Sequence, residues 1–148
     1  MDKTDQVVFA KNIIKNNIYL TLGTADGDPW VAPLFYCTDP QHNFYFISQL
    51  DSLHTRHLLK HPGIAFAIFD SHQKEGSGNG LQVSGKAYLI PENELDEALK
   101  WYHTTFIKLT KELLLGPSPY KLFKIVPEKF YILDPGAKVD KRIEVDLN

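Results

Sequence analysis

The sequence predicts a mainly β domain, an antiparallel sheet curled into a small barrel with helices packed against it. Three observations predict it. About six or seven short runs rich in β-branched and aromatic residues follow one another at close spacing. Turn-type segments link the early ones, which makes the sheet mainly antiparallel. Helical periodicity appears only at the start, in the middle and in the late third. Closing such a sheet would remove its exposed edges.

The elements follow in chain order. Val7, Ala10, Ile13 and Ile14 recur at helical spacing, Thr4 is the expected cap, and Asn16 and Asn17 are good stop residues. Ile18–Thr24 reads as a strand, and Ala25–Pro29 as a turn in which Gly27 takes positive φ. Trp30–Cys37 is apolar on both faces, so a central strand covered on both sides is expected. Pro33 lacks an amide donor and belongs at an edge, a bulge or a gap. Thr38–Asn43 is a hairpin turn and Phe44–Ser48 the returning strand. Ser52 is positioned to cap a short helix that Pro62 and Gly63 end. Ile64–Phe69 and Leu81–Ile90 are strands joined by a loop, Ser71–Gly80. Pro91 opens a helix expected to run through Phe106 or beyond, with Gly116, Pro117 and Pro119 as its end. Leu122–Val126 and Lys129–Leu133 read as two strands around Pro127, and Arg142–Asp146 as a last one. No internal repeat or linker is visible, so residues 1–148 are expected to form one domain.

Sixteen Lys and Arg stand against eighteen Asp and Glu, a formal net charge of −2. That balance argues against a nucleic-acid partner. The single cysteine, Cys37, allows no internal disulfide framework. No run approaches the ~20 apolar residues that span a bilayer, and the first residues lack a secretory pattern. A cytoplasmic protein without a membrane partner is the expectation.

The chemically informative stretch is Phe44–Phe69, FYFISQLDSLHTRHLLKHPGIAFAIF. Ser52, His54, Thr55 and Arg56 crowd the first turn of its helix. Free N–H groups at a helix start favour an anion. Hydroxyls add donors, and Arg56 offers a charge-assisted fork suited to phosphate. The same pattern also describes an ordinary capped helix with a solvated basic face.

Four pieces in order, GDPWVAPLFY (Gly27–Tyr36), FYFIS (Phe44–Ser48), SLHTRHLLKHPGIA (Ser52–Ala65) and VSGKA (Val83–Ala87), resemble the pyridoxamine 5'-phosphate oxidase-like FMN-binding split-barrel family. The resemblance extends from about Ile18 to Ile90. It implies a split barrel that assembles as a homodimer with FMN at the interface. It assigns the phosphate to Ser52, His54, Thr55 and Arg56; family members often carry Lys where His54 stands. It lays the isoalloxazine ring against the backbone of Val31, Ala32, Pro33, Ile47 and Ser48. Trp30 stands near the place of a phosphate-binding Arg in true pyridoxamine phosphate oxidases. Gln82 lies on the strand of their ring-contacting Gln, offset by two residues. The implied activity is an FMN-dependent oxidoreductase acting on a small organic molecule, with no catalytic side chain assigned. A flavin-binding or stress-related protein without turnover, a deazaflavin ligand, and haem binding on the same fold stand as alternatives.

Other residues read as structure. His54, His57 and His61 fall at i, i+3 and i+7, but no carboxylate or cysteine joins them at ligand spacing, and no metal is assigned. Cys37 reads as a small core residue. Glu92, Glu94, Asp96 and Glu97 suit a helix start, and Trp101, Tyr102 and Phe106 its apolar face.

Overall fold

Period-two burial organises the chain. In the computed structural model, which describes all 148 residues, Leu20 and Leu22, Ile64, Phe66 and Ile68, and Leu81 and Val83 alternate with exposed or half-exposed neighbours and meet in one core. They belong to β1 (Tyr19–Asp26), β5 (Gly63–Phe69) and β6 (Gly80–Leu89). The other strands are β2 (Asp28–Phe35), β3 (Cys37–Thr38), β4 (Phe44–Gln49), β7 (Tyr120–Leu133) and β8 (Arg142–Val145). Every pairing is antiparallel, in the order β2-β1-β5-β6-β7-β4-β3, with β8 on β7.

The two ends of that order are consecutive in sequence. The segment from Asp28 to Thr38 pairs first with β1 and then, past Tyr36, with β4. This change of partner curls the sheet into a barrel and splits its wall. Between β2 and the far half of β4 no ladder forms. Tyr36 marks the change: it is buried, packs on Phe44 at 5.3 Å between ring centroids, and sets its hydroxyl 2.6 Å from the Ile14 carbonyl. Burial pushes the Tyr36 phenol well above its ordinary pKa.

Helix α1 (Lys3–Asn16) places Ala10 and Ile14 in the barrel core. Its cap is Asp2, whose carboxylate accepts from the Asp5 amide at 2.8 Å, and the expected cap Thr4 lies inside the helix. A second apolar cluster, Tyr45, Ile90, Leu95, Ala98, Tyr102, Leu114 and Leu122, lies outside the barrel under α3 (Leu95–Trp101) and α4 (Lys111–Leu115).

Three expectations are corrected here. The strand covered on both faces is β4, with Phe44 and Phe46 in the barrel and Tyr45 in the outer cluster. β2 is instead an edge strand, which accommodates Pro33, and it leaves Trp30 and Val31 49% and 64% exposed. The helix opened by Pro91 begins as a 3-10 turn (Glu92–Glu94) and stops at Trp101. Tyr102 turns extended and packs edge-on against Phe35, and β-branched Thr104 and Thr105 do not resume the helix. The two late strands are one. β7 keeps Phe123 and Ile125 inward, then Phe130 and Ile132, because a bulge opposite Ser84 and Gly85 shifts the alternation by one. A Cβ on Gly85 would stand 2.5 Å from the Val126 carbonyl oxygen, so this approach requires glycine. Gly27 turns the β1–β2 hairpin at φ 81°, as expected.

The β3–β4 hairpin is organised by one carboxylate. Asp39, 7% exposed, accepts from the amides of Gln41 and Asn43, the Asn43 side chain and the Tyr45 hydroxyl at 2.9–3.0 Å. Burial pushes its pKa up, but these donors outweigh burial and hold it below the ordinary carboxylate value. Replacing Asp39 with Ala is expected to lower stability by about 2–3 kcal/mol at neutral pH, read from urea midpoints. The gap to the native protein should persist above about pH 4 and shrink as pH falls through the folded-state pKa. An equal gap at pH 7 and in strong acid would refute this role.

Candidate functional site

β4 ends at Gln49, the chain turns through Asp51, and α2 (Leu53–Lys60) begins beside the split in the barrel. Ser52 occupies the cap position, but its hydroxyl caps no helix N–H, contrary to the expected role. Instead Ser52 Oγ lies 2.9 Å from the Gln49 carbonyl and 2.7 Å from Thr55 Oγ1. Thr55 Oγ1 lies 3.2 Å from Ser48 Oγ, which is 2.7 Å from His54 Nε2. Ser48 and Thr55 are buried, while Ser52 and His54 reach solvent in part. Three hydroxyls and an imidazole thus bind one another at a helix start with no side-chain cap. Burial, reinforced by neighbouring His57, holds the His54 pKa below its ordinary value.

Helix geometry divides the remaining candidates. Successive residues of α2 are turned by about 100°, so Leu53, Arg56, His57 and Lys60 share a side away from Thr55. That side forms a cleft of about 800 Å³ with Asp26, Asp28, Pro29 and Trp30. Arg56 is exposed there. Lys60 and His61 are paired with Asp26 at 3.2 and 2.8 Å.

The structure therefore unites Ser48, Ser52, His54 and Thr55, and sets Arg56 and Trp30 along an adjoining cleft. Val31 and Gln82 lie elsewhere, on the outer face of the sheet, in a shallow depression with Thr21, Gly23, Ala65 and Tyr131. No residue of α2 lines it. Ala32 is buried and Pro33 lies on the open edge. Ile47 packs outward against the cluster under α3.

One cleft residue escapes a sequence reading. His57 is buried, its Nδ1 is 3.0 Å from Thr24 Oγ1 on β1, and it lines the cleft beside Arg56. The partners are 33 positions apart, and no local pattern signals such a pair. The three histidines of this region thus have three different partners: Ser48, Thr24 and Asp26.

A family model described as pyridoxamine 5'-phosphate oxidase matches residues 9–134. The chain belongs to this family. A search of curated proteins found no match. Solved structures share the fold at low identity. A Clostridium acetobutylicum protein related to general stress protein 26 of Bacillus subtilis, of the pyridoxinephosphate oxidase family, is 16% identical with a TM-score of 0.68, over 98% of this chain and 97% of that one. A FAD-binding protein from Mesorhizobium loti is 19% identical with a TM-score of 0.63, over 83% and 88% of the chains. A heme binding protein from Mycobacterium smegmatis is 17% identical with a TM-score of 0.70, over 93% of this chain and 57% of that one. At these identities the likeness concerns the fold, a split barrel with flanking helices. No helix of this chain is long and apolar enough to cross a membrane.

Thr24→Val removes the partner of a buried imidazole while keeping the volume of the side chain. It is expected to destabilise the protein by about 1–2 kcal/mol in urea unfolding. An unchanged midpoint would show that the Thr24–His57 bond does not hold α2 on the barrel.

Proposed function

We propose that this chain is an FMN-binding flavoprotein, an oxidoreductase that acts on a small organic molecule and works as a homodimer. The observation that carries the reading is the hydroxyl–imidazole cluster at the uncapped start of α2. Its donors fit a phosphate monoester: Ser52, Thr55, His54 and the free N–H groups of the first turn, with no carboxylate bonded into the cluster. Family membership supports the same ligand class. The M. loti relative supports a flavin in particular.

The chain's own residues would act by binding and orientation. Ser52, His54 and Thr55 would hold the phosphate, and Arg56 would reach it from the cleft side with a charge-assisted fork. Along the split, the main chain of Val31, Ala32 and Pro33 on β2 and of Ile47 and Ser48 on β4 is not paired across the gap, leaving room for a flat ring. Trp30 borders the cleft and would shield the ring edge. When bound, the flavin supplies the redox chemistry of the ring, and no side chain need act as acid or base. A second copy seated on the outer face would bring Gln82 and Val31 to the cofactor and cover the exposed Val31.

Purified protein is expected to show the absorbance bands of oxidised flavin, or to gain them with added FMN. Ser52→Ala and Arg56→Ala should each weaken FMN by about 1.5–3 kcal/mol in fluorescence titrations. A protein that takes up no FMN, or that instead shows a Soret band, would overturn the reading. Sedimentation velocity should give a dimer, and Val31→Asp should shift it toward monomer.

A further inference from the structure

We infer that the cleft between α2 and the β1–β2 hairpin is a second binding site, for a flat aromatic molecule that carries a carboxylate or carbonyl oxygen. Trp30 supplies the stacking face and His57 Nε2 the hydrogen bond. None of Ser48, Ser52, His54 or Thr55 lines this cleft, so it stands or falls separately from the phosphate site proposed above.

The decisive group is His57. It is 7% exposed, and the one bond its ring makes within the chain joins Nδ1 to Thr24 Oγ1 at 3.0 Å. Nε2 has no partner. No side-chain nitrogen or oxygen sealed from solvent lacks a partner in this protein, so Nε2 is open, and the space it opens on is the cleft that His57 lines. A buried ring held by one nitrogen, with the other unused at a cavity wall, is a fixed polar contact for a ligand.

Thr24 decides what that contact offers. It is 5% exposed, and its hydroxyl bonds only to His57. A neutral ring protonated at Nδ1 would leave the Thr24 proton buried with no acceptor, a costly arrangement. Donation from Thr24 to Nδ1 satisfies both groups and puts the ring proton on Nε2. A charged ring carries a proton there as well. The contact is therefore a donor, and it selects an oxygen acceptor.

The walls select the rest. Trp30 on β2 is 49% exposed and lines the cleft across from α2, with Pro29 beside it and Leu53 and Leu59 on the helix. An indole half-open to a cleft stacks well on a flat ring, and about 800 Å³ is within the range of small-molecule pockets. Asp26 is paired with Lys60 and His61. Asp28 on β2 and Arg56 on α2 are both exposed and line the cleft from its two walls. A carboxylate therefore points to the helix wall, where Arg56 adds positive charge beside the His57 donor, and away from Asp28.

Naphthoate is a suitable probe. In calorimetric titrations of the native protein it should bind with similar affinity with and without FMN. Naphthylmethylammonium keeps the rings without the acceptor, and cyclohexanecarboxylate keeps the acceptor without the rings; each should bind roughly ten-fold more weakly. Trp30→Ala, at an exposed position, should weaken naphthoate roughly ten-fold, and His57→Phe roughly ten- to a hundred-fold. Proton–nitrogen NMR of the native protein with labelled histidine should show the His57 ring protonated at Nε2 and its signals moved by naphthoate, a readout that needs no variant to fold. A neutral ring protonated at Nδ1, His57 signals that do not move, either control binding as tightly as naphthoate, or displacement of naphthoate by FMN overturns the inference. Displacement by FMN would leave the flavin reading standing, and a protein that takes up naphthoate but no FMN would do the reverse.

Discussion

The structure depends on one strand that cannot satisfy both ends with the same partner. Asp28–Phe35 completes a hairpin with β1, and two residues later Cys37–Thr38 is paired with β4. Everything else accommodates that change. The sheet must curl to bring β4 beside β1's hairpin, and the wall must open where the two ladders diverge. Tyr36 holds the turning point from inside, between Phe44 and the carbonyls of Ile14 and Asn17. Its hydroxyl joins the first helix to the seam, so the lid of the barrel and the gap in its side are fixed by one residue. Losing the hydroxyl while keeping the ring would leave the packing but free those carbonyls, a cost typical of one buried hydrogen bond.

Helix α2 sits beside this opening and has two characters. One side turns Thr55 and Leu58 inward, and Thr55 joins Ser48 across the turn. The other faces a cleft edged by Trp30. A short helix can do both because Leu58 and the Thr24–His57 bond anchor it to the barrel, and Asp26 ties its last turn to the β1–β2 hairpin. Its first turn is thereby presented without being used up in capping.

Much of this was legible in the residues. Alternation in IYLTLGT, IAFAIF and LQVSGKAYLI is the signature of strands with one wet face, and all three hold in the structure. The segment around Ser52 was readable as strand, turn, helix and proline stop. The unreadable parts are those decided at long range. WVAPLFYC is apolar enough to be central, yet it lies at an edge, since nothing local tells how many neighbours a strand has. KIVPEKF looks broken by proline, although a bulge opposite Gly85 absorbs the interruption. Arg56 follows Thr55 in sequence but leaves the helix on another side, a separation that helical rotation predicts and adjacency in sequence conceals. His57 gains its role only from Thr24, which belongs to the first strand.

The reach of β7 has a consequence for how the chain is made. Its first half is flanked by β4 and β6, its second half by β6 and β8. Until that strand leaves the ribosome, the four-stranded piece β2-β1-β5-β6 and the β3–β4 hairpin exist with the borders that face β7 unpaired. The nascent chain therefore passes through a stage with two open, apolar edges, each a template for a stranger's backbone. Docking of one late segment closes both at once. The native barrel is sealed by a single long-range event, the kind of contact that forms slowly because a long loop must close first.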